Sequence, residues 1–128
     1  MSTHPVRITR PVEQDLRRVA RQAVAEPRSL LTELQFLASF PNGGHPLPGD
    51  LADCRVCQVL DGRWHVAWRT RPGQQASGEA KSTEVLAIVR AHPRSIDDLT
   101  EETRHRLQAP GKLHSRPLAD TLALFTAP

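Results

Sequence analysis

Short apolar runs and chain-breaking residues alternate along the first fifty positions. A short strand is predicted at residues 6–8, where two apolar residues flank one Arg. Apolar residues then return every three or four positions, which predicts a helix that ends near residue 25: Val12, Leu16, Val19 and Ala23. A second apolar run predicts a helix from about residue 27 to Phe40, ended by Pro41. Residues 41–50 hold Gly-Gly and three prolines, so we expect a loop there.

The clearest local pattern is a β-hairpin in the middle of the chain. Two strand-like runs, residues 55–60 and 63–70, flank Asp61 and Gly62, a pair typical of a two-residue type I′ turn. Counting outward from this turn places Val59 opposite Trp64. Because side chains alternate between the faces of a strand, one face is expected to lie on the core under the helices: Val59, Trp64, Cys57, Val66 and Trp68. The other face is expected to be open, polar and partly basic: Gln58, His65, Val56, Ala67 and Arg69.

The remaining sequence predicts one more strand and at least one more helix. The continuous apolar run at residues 85–89 is typical of a buried central strand. Ser95 or Thr100 is a suitable cap for a helix through Leu107. The tail, residues 108–128, is expected to be loose or to form a short helix near 118–125.

This order of elements predicts an α+β fold. We expect a small, mostly antiparallel sheet of about four strands, with two N-terminal helices packed on one face and a C-terminal helix. A chain of 128 residues is the size of a single domain, and its core is expected at about residues 5–107.

Composition adds a modest basic bias. The formal net charge is +3, and fifteen of the seventeen Lys and Arg residues are Arg, the cation suited to phosphate and carboxylate groups. From residue 55 to residue 94, seven cations face three anions, which concentrates positive charge on the predicted sheet. No apolar run is long enough to cross a membrane, and the N-terminus lacks the apolar core of a signal peptide. Two cysteines are consistent with reduced thiols, so a cytoplasmic location is expected.

The motif order resembles the RelE/ParE superfamily of bacterial toxins. The resemblance rests on strand–helix–helix, then HPLPGDLADC at residues 45–54, GRWHVAWR at 62–69 and VLAIVR at 85–90. It covers about residues 5–107, and its specificity lies in the order and spacing of short motifs. It implies a toxin that a cognate antitoxin protein neutralises. RelE-like members cleave mRNA on the ribosome, whereas ParE-like members poison DNA gyrase.

The resemblance is uneven at the residues that carry chemistry. RelE-type ribonucleases use Lys, Arg and a C-terminal Tyr, but this chain has Val56 and Gln58 at the Lys positions, His65 at the Arg position and no Tyr at all. The YafQ-type branch, which uses histidines and an Asp, is closer. His45 and His92 match its pattern, Asp61 lies near the expected place, and Arg55 stands where that branch has a further His.

Cleavage of RNA by its own 2′-hydroxyl needs a base, an acid and cations that stabilise the phosphorane. Histidine suits the first two roles because its pKa lies near neutrality. We therefore expect His92 to act as acid or base, with His45 or His65 as its counterpart. The phosphate is expected to be held by arginines on the sheet and just after it: Arg55, Arg69, Arg90 and Arg94. This chemistry implies neither a metal ion nor a cofactor.

Structural roles for the same histidines stay open. His45 could hydrogen-bond its loop, His65 could fill a sheet face, and His92 could cap a strand end. On those readings the chain would be a ParE-like protein that binds gyrase without catalysis, or an orphan domain that keeps the scaffold alone. Asp61 is expected to serve the turn. Cys54 and Cys57 have redox or zinc spacing, but residues three apart in a strand point to opposite faces, so we expect structural thiols.

Overall fold

The computed structural model of the chain describes residues 5–72, 81–109, 111 and 113–125. It contains six strands, four α-helices and two short 3₁₀ turns. In chain order the elements are β1 (Val6–Thr9), α1 (Arg10–Gln22), α2 (Glu26–Leu34), a 3₁₀ turn (Gln35–Ala38), β2 (His45–Pro46), a 3₁₀ turn (Gly49–Leu51), β3 (Cys54–Val59), β4 (Trp64–Arg71), β5 (Ser82–Arg90), α3 (Ser95–Gln108), β6 (Ser115–Pro117) and α4 (Leu118–Leu124). No described helix has the length and apolar character needed to cross a bilayer.

The strands form one open sheet in the order β2-β3-β4-β5-β1-β6. Only β1 and β5 run parallel among the described strands, and the other neighbours are antiparallel. The predicted α+β class with a mostly antiparallel sheet is therefore confirmed. The expectation of about four strands was wrong, because β2 and β6 add one strand at each edge. They are two and three residues long and each contains Pro, so neither shows a strand pattern in the sequence.

The predicted hairpin register is confirmed, with Val59 opposite Trp64 and Arg55 opposite Trp68. Asp61 and Gly62 both have positive φ, as a type I′ turn requires, and the Arg63 N–H donates to the Leu60 carbonyl at 3.1 Å. The carboxylate of Glu33 on α2 accepts the Leu60 N–H at 2.9 Å, so the second helix also anchors this turn.

The first face of the sheet carries the larger core. Helices α1, α2 and α4 contribute Leu16, Leu30 and Leu118, which pack against the predicted core face of the hairpin, including Trp64 and Trp68. The second helix is shorter than expected, because the α-helix ends at Leu34 and its apolar run continues as a 3₁₀ turn. Both N-terminal helices pack on this face, but the helix arrangement differs from the predicted one, because α4 joins them here and α3 lies on the opposite face.

The second face is covered, contrary to the expectation of an open polar surface. Val56 and Ala67 are buried there, and α3 packs over them through Leu99. Leu86 and Ala87 join the same cluster, because a bulge in β5 turns both of these consecutive side chains to one face. An apolar centre of this kind must be buried, and α3 provides the cover.

Asp15 of α1 and Arg106 of α3 take the place of a missing strand. Strand β1 ends at Thr9, so beyond Val85 none of the described strands lies beside β5 on the edge away from β4. The Asp15 carboxylate accepts the Ile88 N–H at 3.3 Å, and the Arg106 guanidinium donates to the Leu86 carbonyl at 2.9 Å. The two side chains also join each other through two hydrogen bonds of 2.8 Å.

Candidate functional site

A cavity of about 470 Å³ opens beside the edge strand β2, at the side of the sheet that α3 covers. We call it the histidine cavity. Its lining comes from the β2 loop, from β3 and β4, and from the first turn of α3: Gly44, His45, Val56, Cys57, Gln58, His65 and Ile96. The cavity therefore brings together two of the three histidines that the sequence singled out.

His65 is held inside the protein, with 8% of its surface exposed. Its Nδ1 atom lies 2.8 Å from the Ser95 hydroxyl, which donates its own hydrogen to the His92 carbonyl at 2.8 Å. The hydroxyl must therefore accept from His65, which places the ring proton on Nδ1. The Nε2 atom then accepts from the Gln58 amide at 3.1 Å, so the ring is neutral and both of its nitrogens are in use.

Burial lowers the pKa of His65 below its usual 6.5, and the nearby His92 lowers it further. The imidazole resists protonation because a second proton would have no acceptor on the Gln58 amide nitrogen. His65 thus sits at the junction of β4 and α3 as a neutral hydrogen-bonding group.

His92 is exposed just before α3 and is oriented from two sides. Its Nδ1 accepts the Arg94 N–H at 3.2 Å, so its Nε2 carries the proton and donates to the Asp98 carboxylate at 2.9 Å. His92 and His65 are linked through the Ser95 hydroxyl, which contacts the backbone of one and the ring of the other.

His45 lies exposed on β2, paired with Val56 across the edge of the sheet. It shares the histidine cavity with His65. Asp61 lies in the hairpin turn, away from the lining of that cavity. The structure therefore associates the three predicted histidines with the same side of the sheet and leaves Asp61 outside.

The four predicted phosphate-binding arginines are dispersed. Arg55 donates to the Gly43 and Gly44 carbonyls at 2.7 and 3.3 Å, and Arg69 pairs with the buried Glu84 at 2.8 Å. Arg90 stacks over the ring of Trp64 at 5.6 Å, on the side of the sheet that α1 covers. Arg94 is exposed beside His92. Arg94 is thus the one of the four that lies next to a predicted catalytic histidine without an internal partner in the described part of the chain.

Ser95, Gln58 and Asp98 complete this region, and sequence reasoning gave none of them a site role. Ser95 was expected as a helix cap, and its position just before an acidic first turn was the available signal. The contact between Ser95 and His65 spans 30 positions, so no local pattern reveals it.

The cysteines lie in different surroundings, as their spacing predicts. Cys54 belongs to the core cluster under α3, whereas Cys57 packs against the cluster on the opposite face. Burial raises the pKa of Cys57 to about 11, which keeps the thiol protonated at neutral pH. Within the described ranges, no group of three or more His, Cys, Asp or Glu side chains is placed to hold a metal ion.

Comparison with known proteins finds no counterpart: no family model, no curated protein and no solved structure matches the chain. We therefore infer the function of the protein from its own residues and from the order of its short motifs.

Proposed function

We propose that the protein is a RelE-like toxin, a metal-independent endoribonuclease that cleaves mRNA on the ribosome and so inhibits translation in the cytoplasm. The observation that carries this proposal is the association of His45 and His65 along one cavity, with the backbone of His92 linked to the ring of His65 through Ser95. The motif order of the RelE/ParE superfamily and the α+β fold with its mostly antiparallel sheet agree with it.

His92 is the proposed general base. Its exposed ring donates from Nε2 to Asp98 at 2.9 Å, so the proton of a 2′-hydroxyl would be taken at Nδ1, which requires the 3.2 Å hydrogen bond from the Arg94 N–H to open. Arg94, which is exposed two positions after His92, would stabilise the charge on the phosphorane. His45, exposed at the mouth of the histidine cavity, would protonate the leaving 5′-oxygen.

His65 would act through its neighbours in this proposal. Both of its ring nitrogens are in use, so proton exchange with a substrate requires the Gln58 amide to move. While that bond holds, His65 keeps Ser95 and the carbonyl of His92 in place. Arg55 and Arg69 would not contact the phosphate directly, since their guanidinium groups are engaged by internal acceptors and Glu84 neutralises the charge of Arg69.

An antitoxin partner is part of the same proposal. Three large apolar side chains in the segments that flank α2 are left in solvent: Val24 before the helix and Phe36 and Phe40 after it are 84%, 67% and 64% exposed. Exposed apolar groups of this size are typical of a surface that another protein covers.

A ParE-like protein that binds gyrase without catalysis is the second candidate function. The specific observation in its favour is that Arg55 and Arg69 are both engaged by internal acceptors, while α3 covers the sheet face that a ribonuclease of the RelE type would leave open. An orphan domain without catalysis would share these features.

Expression in bacteria separates the three readings. The native chain, His92→Ala and the matched control His105→Ala, another exposed histidine but on α3, would be induced in parallel. We expect growth arrest and loss of translation for the native chain and the control, and normal growth for His92→Ala. Arrest that survives His92→Ala would contradict the histidine mechanism. Arrest with intact mRNA and altered DNA supercoiling would favour the gyrase reading, and no arrest at all would favour the orphan domain.

The product of cleavage gives a second test. Attack by the 2′-hydroxyl leaves a 2′,3′-cyclic phosphate on the 5′ fragment, whereas attack by water leaves a 3′- or 5′-monophosphate. RNA recovered with ribosomes after induction should carry the cyclic end, and fragments lacking it would exclude the proposed chemistry.

A further inference from the structure

Three arginines form a stripe along the solvent side of α1. Arg10, Arg17 and Arg21 follow one another at seven and four positions, so they lie on the same face of the helix, and all three are exposed. The opposite face of α1 packs into the core through Val12 and Leu16. We call these three residues the arginine stripe.

In the part of the chain that the structure describes, no carboxylate is paired with the arginine stripe. Elsewhere most arginines have an acceptor or a ring beside them, as Arg55, Arg69 and Arg104 do. Within the described ranges, the guanidinium groups of the stripe have none. The two carboxylates of α1 cannot compensate, because Glu13 binds Arg116 and Asp15 binds Arg106. The stripe therefore projects positive potential into solvent.

A cavity of about 670 Å³ adjoins the stripe, between α1, β6 and α4. Arg10 and Arg17 line it, together with Arg116 and His114 from the β6 segment. Its acidic lining residues are Glu13, which is already paired with Arg116, and Asp120. A polar cavity with several guanidinium donors is chemically suited to an anion that offers many oxygen acceptors.

The spacing of the stripe favours an extended anion over a single small one. At 1.5 Å per helical residue, Arg10 and Arg17 are about 10 Å apart along the axis, and Arg17 and Arg21 about 6 Å apart. Three guanidinium groups so placed can each reach a different phosphate of one strand. Such contacts to the sugar–phosphate backbone are independent of base sequence.

We propose that the arginine stripe and its cavity form a binding surface for the phosphate backbone of nucleic acid. It lies on the α1 side of the sheet, whereas the histidine cavity lies on the α3 side. The surface therefore goes beyond the proposed cleavage and does not need it: it would hold a strand, or a structured RNA, against the protein irrespective of any reaction at His92.

The test measures binding of labelled single strands by fluorescence anisotropy over a range of salt concentrations. The strands are single-stranded DNA and 2′-O-methyl RNA of equal length, which lack the attacking 2′-hydroxyl, so binding is observed without cleavage. The variant is Arg10→Gln/Arg17→Gln/Arg21→Gln. The matched control, Arg28→Gln/Arg71→Gln/Lys81→Gln, also removes three positive charges, all at exposed positions without an internal partner within the described ranges.

We expect the stripe variant to bind at least about tenfold more weakly and to lower the slope of log K against log salt by about 2, at about 0.7 for each lost phosphate contact. The control variant should keep most of the slope. Equal losses in both variants would overturn the proposal, because net charge alone would then explain the binding. Failure of the native chain to bind either strand would also overturn it. So would displacement of the strand by polyglutamate as effectively as by unlabelled DNA of equal charge.

A charge-conserving variant separates a local folding defect from lost contacts. Arg10→Lys/Arg17→Lys/Arg21→Lys should retain most of the salt slope, since an ammonium group still pairs with phosphate. Loss of binding in this variant, with an unchanged circular dichroism spectrum, would show that charge on the stripe is not what binds the strand. Growth arrest is not used as a readout here, so failure of this proposal and failure of the proposed cleavage are distinguishable.

Discussion

Gly44 and Gly49 allow two causes of lost stability to be measured separately. One is a close approach between two backbone segments, and the other is a left-handed backbone conformation. Both adopt left-handed geometry, with φ of +70° and +69°. A Cβ added at Gly44 would lie 2.3 Å from the Val56 carbonyl oxygen and 3.0 Å from the Trp68 ring, whereas one added at Gly49 would meet nothing within 4 Å. Alanine at either position therefore has the cost of a left-handed backbone, but only alanine at Gly44 adds a steric overlap.

The magnitudes follow from these contacts. Left-handed backbone at a residue with a Cβ costs roughly 1–2 kcal/mol, and both variants bear that cost. At Gly44 the Cβ would overlap the backbone of β3, which cannot move without disturbing the sheet, and overpacking of this kind adds about 1–3 kcal/mol. We expect Gly44→Ala to lower the free energy of unfolding by about 2–5 kcal/mol, and Gly49→Ala by about 1–2 kcal/mol.

Urea denaturation followed by tryptophan fluorescence measures both losses. With an m-value of about 1–3 kcal/mol per molar urea, the extra loss at Gly44 should move the midpoint down by about 1 M relative to Gly49→Ala. Trp68 is buried next to Gly44, so its emission reports on the same contact. Equal midpoints for the two variants would refute the close approach of the Gly44 loop to β3.

Three further predictions concern buried polar groups. Asp15→Ala should lower the free energy of unfolding by about 3–5 kcal/mol, because it leaves Arg106 buried without its carboxylate. In urea denaturation, Asp15→Ala/Arg106→Met should lose less free energy than the two single variants added together. Additive losses would contradict the pairing. Because the pKa of His65 is lowered in the folded protein, the unfolded chain takes up this proton first as pH falls, and the free energy of unfolding should decline below about pH 6.5. His65→Asn should lose this part of the pH dependence. An identical pH profile for the variant would contradict the lowered pKa of His65. In a Cys54→Ala background, Cys57 should react with a thiol reagent at pH 8 roughly a hundredfold more slowly in the folded protein than in urea, because burial raises its pKa from 9.0 to about 11. Equal rates would exclude that shift.

The hairpin was predictable because its determinants are local. Asp61 and Gly62 supply the positive φ angles of the turn, and alternation then assigns every side chain of β3 and β4 to a face. The same logic failed for the second face. Two apolar residues of β5, Leu86 and Ala87, reach that face only through a bulge, and strict alternation places one of them on the other side. The cover by α3 could therefore not be foreseen.

The candidate site shows a similar division. The motif order singled out His45, His65 and His92 as candidates, but the internal partners of the predicted arginines could not be read from the sequence. Arg69 on β4 pairs with Glu84 on the neighbouring strand β5, and Arg55 donates to loop carbonyls 11 and 12 positions away. Both contacts exist only once the sheet has formed. The arginine stripe has a local signal in the sequence, because Arg10, Arg17 and Arg21 recur at helical spacing.

The parallel pairing of β1 with β5 has a consequence for the order of folding. The Thr9 hydroxyl bonds the Val85 carbonyl across 76 positions, and Asp15 meets Arg106 across 91. On a translating ribosome, the hairpin of β3 and β4 can therefore form while β1 still has no neighbour in the sheet. Strand β1 cannot pair with β5 until β5 has been synthesised. Asp15 and Arg106 can cover the remaining edge of β5 only after α3 has emerged from the ribosome. Because such distant pairings slow folding, the nascent chain would expose the core side of β1 and α1 for much of its synthesis, the interval in which it is most open to chaperones and to aggregation.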